Sequence, residues 1–292
     1  MKSIKAVYQS LFFMRFGLFT LLYCLTIASP RAAPITFNSA LPVSQNEWVL
    51  RGLASFESSS STINDKQLER EELSLTSVVA YGISAKWAAI AVLPLSNINQ
   101  TSVDSNIDES GFGDAELFGR YEAYRTDKLG ATKRIAPFAG LRLATGERGV
   151  ISNGTAGVFA GVTFTRASIK QTFDLQIRYD HNTSNGNFNA GDVLTADFSW
   201  QRRVAPKIIS ANTKGFWLAV LETNLNLLER NRLAGDLNPN SGGFNASISP
   251  GIQYLTRRWI AELAVRVPII KQANGNALES DYAIITGIRA NF

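Results

Sequence analysis

Cysteine is all but absent from this sequence. The single Cys24 lies in the N-terminal stretch, so disulfides and cysteine-ligated metals have no place in the rest of the chain. Histidine is as scarce, for His181 stands alone and a histidine-built zinc site needs several ligands. A Ser-His-acid hydrolase needs three converging groups, and although Asn182 and Ser184 adjoin His181, loop neighbours rarely make that geometry. Gly111-Phe112-Gly113 lacks both the further glycine and the following helix of a nucleotide fingerprint. Asp104, Asp108 and Glu109 form an acidic loop of the kind that is ordinarily solvated rather than calcium-binding. No catalytic residue, cofactor or metal is expected, and the chain does not read as an enzyme. Charge is also short, at 18% of residues, where about a quarter is usual. A 45% hydrophobic content with mean hydropathy of -0.01 excludes both a disordered chain and a helical membrane bundle. The formal charge of +5 shrinks to +1 once Lys2, Lys5, Arg15 and Arg31 of the N-terminal stretch are set aside, so no nucleic-acid partner is expected.

Residues 1–33 run from the early charges Lys2 and Lys5 through an apolar core, Leu11 to Ile27, to the small residues Ala28, Ser29, Ala32 and Ala33. That order is a secretory signal peptide. A membrane anchor would need about 20 predominantly apolar residues, and the longest run free of charge and Pro is only Phe16 to Ser29. A cut after Ala28 leaves Thr26 and Ala28 where small residues are wanted, whereas a cut after Ala32 or Ala33 does not. Tyr23 is too large for the lipoprotein signal that Cys24 would need. Residues 34–45, with Pro34 and Pro42, are too few for a plug domain.

From residue 46 onward the chain alternates with a period of two. Phe173, Leu175, Ile177 and Tyr179 face one way, and Thr172, Asp174, Gln176, Arg178 and Asp180 the other. The same pattern recurs in about twelve segments, each near the ~10 residues that cross a bilayer at a tilt. Long polar connectors at 58–70, 96–110, 146–154, 181–191, 229–243 and 271–280 alternate with mostly shorter turns. A soluble sandwich could bury one such strand, but this many two-faced strands with no helix call for closure. The expectation is an all-β fold over residues 46–292, a transmembrane antiparallel barrel of about 12 strands. Trp48, Trp87, Trp200, Trp217, Trp259 and several Tyr fall near strand ends, as interfacial girdles do.

Candidate lumen-lining residues are Arg51, Asp114, Glu116, Arg120, Glu122, Arg142, Asp174, Arg178, Asp180, Asp197, Arg203, Glu222, Glu262, Arg266 and Arg289. Nearly balanced in sign, they either pair across a filled interior or line a polar constriction that sets selectivity. The sequence leaves both readings open. The final strand, Asp281 to Phe292, ends on an aromatic and resembles the closing strand of bacterial outer-membrane barrels. In those proteins such an ending is part of the signal to the barrel-insertion machinery, a role that falls here on Tyr282 and Phe292.

Gly111-Phe112-Gly113-Asp114, the segment Pro137 to Gly146 and the Tyr282-to-Phe292 ending together resemble the outer-membrane barrel family of phenol-degradation meta-pathway proteins, often labelled transporters. The resemblance spans roughly residues 45–292. It implies an outer-membrane channel or transporter for small, often aromatic or otherwise hydrophobic compounds, with membrane lipid and a small solute as partners. The other open reading is a non-conducting barrel that serves as a structural or adhesion scaffold.

Overall fold

The computed structural model describes residues 32–292 apart from 64, 65, 103, 104, 150 and 211. Residues 1–31 of the expected signal peptide lie outside the described residues. The strands in chain order are β1 (Trp48–Ile63), β2 (Lys66–Gly82), β3 (Trp87–Ser102), β4 (Asn106–Phe112), β5 (Glu116–Tyr121) and β6 (Tyr124–Lys128). Next come β7 (Ala131–Arg142), β8 (Gly157–Ser168), β9 (Gln171–Asn182), β10 (Ser184–Asn185), β11 (Phe188–Asn189) and β12 (Val193–Ala205). The last are β13 (Gly215–Leu228), β14 (Arg232–Leu233), β15 (Asp236–Leu237), β16 (Gly243–Thr256), β17 (Trp259–Ala273) and β18 (Glu279–Asn291).

Twelve of these close a ring in the order β1, β2, β3, β5, β7, β8, β9, β12, β13, β16, β17 and β18, each antiparallel to the next. β18 returns to β1 in a register running from Val49↔Asn291 to Ser60↔Glu279, and Trp48 and Phe292 exchange both backbone hydrogen bonds at 2.9 and 3.0 Å. Closure satisfies every wall strand on both sides, which an open sheet in hydrocarbon cannot do. The fourth wall position is interrupted: β4 pairs with β3 above β5, and β6 pairs with β7 below it.

Alternation places Leu73, Leu75, Leu117, Ile177, Leu221, Leu263 and Ile288 on the outside, all exposed. An apolar surface of that extent is untenable in water but is what a membrane barrel presents to lipid. Cross-strand aromatic pairs ring the end that carries the short turns. Trp48 meets Tyr81 at 4.5 Å, Trp87 meets Tyr121 at 4.9 Å and Trp217 meets Tyr254 at 4.7 Å between ring centroids.

The stretches 58–70 and 96–110, expected as loops, are largely strand. β1 and β2 stay paired as far as Ile63↔Lys66, and β3 and β4 as far as Thr101↔Asn106. Ser58 to Thr62 and Ser96 to Ser102 hold no Gly or Pro. Beyond the membrane both faces are wet, so the ladder continues without apolar alternation. The loops 181–191 and 229–243 also fold further than expected, joining through β10, β11, β14 and β15 into a small sheet of their own.

Candidate functional site in the barrel lumen

Residues 33–43 run inside the barrel rather than along its wall. Ala33, Ile35, Phe37, Ala40, Leu41 and Val43 are buried there, Ile35 completely. Because the segment joins no ladder, its backbone groups need partners from the wall. Gln253 Nε2 donates to Ala33 O at 2.8 Å and Arg51 Nη2 to Ile35 O at 2.5 Å. Glu222 accepts from Ile35 N at 2.8 Å, Thr36 N at 2.9 Å and Thr36 Oγ1 at 2.7 Å. On the far side Ala40 N donates to Thr165 Oγ1 at 2.8 Å, and Arg120 donates to Ser39 O at 2.6 Å and Leu41 O at 2.7 Å. The segment thus climbs to Asn224, whose amide donates to Thr36 Oγ1 at 3.0 Å, and descends to Ser44 beside Gly82. A Cβ at Gly82 would lie 1.9 Å from Ser44 O, so the return path exists only because that residue is glycine.

One side of the lumen is apolar. Phe118, Phe138 and Phe159 lie on neighbouring strands with centroids 5.6 to 6.4 Å apart, and they pack with Ala80, Ala88, Ile90 and Val43. Room for the rings comes from inward-facing Gly161, where a Cβ would meet Phe138 Cζ at 2.5 Å. Above the rings the wall turns charged. The Arg178 guanidinium lies 3.9 Å over the Phe159 centroid and donates to Glu116 at 2.6 and 3.0 Å and to Asp180 at 2.6 and 2.8 Å. Arg142 adds a bond to Asp180 at 2.6 Å and one to Asn182 at 2.9 Å.

Two cavities flank the tip of the inserted segment. The outer one, of about 610 Å³, is lined by Phe37, Asn38, Gln176, Asn224 and Arg266 among others. The inner one, of about 370 Å³, lies against Val49, Val78, Ile90 and Val92 and again reaches Phe37 and Asn38.

The charged candidates divide by partner. Arg51, Arg120, Glu222 and Arg289 hold the inserted segment, and Arg51 also pairs with Glu262 at 2.6 Å. Glu116, Arg142, Arg178 and Asp180 form the upper cluster. Glu122 is buried against Arg134 near the short-turn end. Asp174 bonds Thr165 and, at 3.1 Å, Gln201, while Asp197 accepts from Gln176 at 3.1 Å and Asn224 at 2.8 Å. Arg203 stacks on Phe216 at 5.6 Å. Arg266 has no hydrogen bond among the described residues. Asp114 stands apart, in the break between β4 and β5, where it accepts from Gly146 N and Ser152 Oγ at 2.9 Å and ties down the 146–154 loop. Tyr282 faces outward with its ring 6.2 Å from that of Phe56. Polar charge alone did not reveal Phe118, Phe138, Arg134, Gln201 or Gln253, although Phe118 shares the strand parity of Glu116 and Arg120.

The model of the family described as "Putative MetA-pathway of phenol degradation" matches residues 59–281. The chain belongs to this family. No curated protein matches the sequence. Among solved structures, this phenol-degradation family member is similar to an outer membrane channel from Pseudomonas putida F1. The TM-score is 0.69 at 13% identity, over 90% of this chain and 100% of that one. At that identity the likeness is one of fold. The translocator domain of autotransporter NalP from Neisseria meningitidis gives a TM-score of 0.47 at 10% identity, over 85% and 89% of the two chains. The CymD monoaromatic hydrocarbon channel gives 0.41 at 11%, over 85% and 88%. A closed barrel clothed in apolar side chains belongs in the bacterial outer membrane, with lipid as its outer partner.

Proposed function

We propose that this barrel is a channel for small apolar, chiefly aromatic, compounds, closed at rest by residues 33–43. The observation that carries this reading is that Phe37 and Asn38 line both cavities, so the tip of one short segment stands between the outer and inner spaces. The apolar wall of Phe118, Phe138 and Phe159 supports a solute that prefers aromatic to aqueous surroundings. Proteoliposomes holding the mature protein should take up phenol faster than protein-free vesicles, while glycerol uptake rises less. Equal phenol uptake with and without protein, in the wild type and in a variant lacking residues 34–43, would sink the proposal. That result would favour the scaffold reading, which draws on the many hydrogen bonds that fix the segment in place and on the sheet that joins two of the outer loops.

The mature chain on this reading starts at Ser29, after the small residues Thr26 and Ala28, and the bond from Gln253 to the Ala33 carbonyl speaks separately against a cut after Ala33. Intact-mass measurement of protein recovered from outer membranes should give the mass of residues 29–292, and a mass beginning at Pro34 would contradict it. Tyr282 and Phe292 are assigned to recognition by the barrel-insertion machinery.

A further inference from the structure

The outer cavity holds polar groups with nothing to bind. Gln176 and Asn224 are both more than nine-tenths buried, yet one amide oxygen of each is buried without a hydrogen-bond partner among the described residues, as are Arg266 Nε and Ser280 Oγ. All four residues line the same cavity. Such orphans are uncommon in folded proteins and call for an explanation. Asp197 lines the same cavity and is the acceptor for both amides, so Gln176 and Asn224 share one corner with it. Strand register adds a fourth group. Glu57 is directly opposite Ala283 on β18, and Ala283 is directly opposite Arg266 on β17. A carboxylate and a guanidinium, neither with a hydrogen bond or ion pair among the described residues, therefore face the cavity at one level, with a buried alanine on the strand between them. Two strand spacings separate their backbones by roughly 10 Å, which leaves room for one planar ring with a polar group at either end.

We propose that the outer cavity is a binding site for hydroxylated aromatic carboxylic acids. In this site Arg266 takes the carboxylate, the ring spans the cavity between Arg266 and Glu57 with Phe37 at its edge, and the ring hydroxyl donates to Glu57. The inference rests on the channel reading above and adds to its apolar solutes the aromatic compounds that carry an acid group. A carboxylate on a guanidinium forms two charge-assisted hydrogen bonds. The hydroxyl meets the Glu57 carboxylate, so an acid without it forfeits that contact.

Isothermal titration of the refolded mature protein in detergent tests this with 4-hydroxybenzoate, benzoate and phenol as probes. The wild type should bind 4-hydroxybenzoate roughly tenfold more tightly than phenol, as one charge-assisted contact allows. Arg266→Gln should abolish that preference, Arg266→Lys should restore part of it, and Glu57→Gln should narrow the gap between 4-hydroxybenzoate and benzoate. Retention of the folded, heat-modifiable band on semi-native gels shows that each variant is a barrel. No 4-hydroxybenzoate binding by the wild type, or an unchanged preference in Arg266→Gln, overturns the proposal. Titration reads the site and proteoliposome uptake reads the channel. Uptake of phenol without 4-hydroxybenzoate binding therefore removes the site alone, and binding without uptake of either compound removes the channel and leaves the site.

Discussion

Replacing Glu222 by Ala is expected to release the inserted segment and raise the single-channel conductance of the refolded protein several-fold. The fully buried carboxylate accepts from Ile35 N, Thr36 N, Thr36 Oγ1 and, at 3.0 Å, Ser199 Oγ. Hydrogen bonds to a charged partner contribute about 1.5–3 kcal/mol each, and three of these four hold the segment. An equilibrium that strongly favours the seated segment is displaced by a loss of that size, since each ~1.4 kcal/mol is a factor of ten in populations. Alanine also leaves the Ile35 and Thr36 N–H groups without their acceptor in the seated position, a further reason for the tip to leave. Deleting residues 34–43 should give the same open level with no occupied closed state. If neither variant conducts more than the wild type in planar bilayers, this segment is not what closes the barrel.

The second large effect is on stability. Arg178→Ala should lower the temperature at which the folded band converts to the unfolded one, with a loss of about 3 kcal/mol in reversible urea unfolding, the lower end for breaking a buried ion pair. The arginine makes four hydrogen bonds to Glu116 and Asp180, at least one from each of its three nitrogens, and covers the Phe159 face, so its removal leaves two neighbouring carboxylates sharing Arg142. The outer cavity wets one side of the cluster, which keeps the loss from the upper end of the range. Arg125→Ala is the matched control, because its pairing with Asp127 at 2.5 Å is exposed, and exposed pairs are worth at most about 1 kcal/mol. A double change of Arg178 and Glu116 to Ala should recover part of the loss. Equal losses in Arg178→Ala and Arg125→Ala would show that the cluster is solvated and not structural.

The wall was legible in the sequence because a period of two written over Phe173 to Asp180, or over Glu116 to Glu122, has one physical meaning when one face must meet lipid. Arg51, Glu222, Arg142 and Arg178 could be assigned to the inside for the same reason. What each holds could not be read, since parity gives a direction and no partner. Residues 34–45 were the hardest. Pro34-Ile35-Thr36-Phe37 has no alternation, and its place in the lumen depends on Glu222, Thr165 and Arg120, which are 80 to 190 positions away in sequence. The outer hairpins were missed because Ser58 to Thr62 looks like a loop when apolar alternation is the only sign of a strand. Phe118, Phe138 and Phe159 ran against the expectation of a polar interior, and an aromatic in the middle of a strand fits either face equally well.

The uneven strand lengths have a consequence of their own. β1, β2 and β3 are 16, 17 and 16 residues long, whereas β7, β8 and β9 have 12 each. At about 3.3 Å per residue, one flank stands well over a nanometre taller than the other along the strand direction. The mouth is therefore cut obliquely. A molecule arriving from the tall flank meets a serine- and glutamate-faced screen, while one arriving over the low flank meets the 146–154 loop and the small outer sheet instead, so bearing as well as size decides which collisions reach the opening.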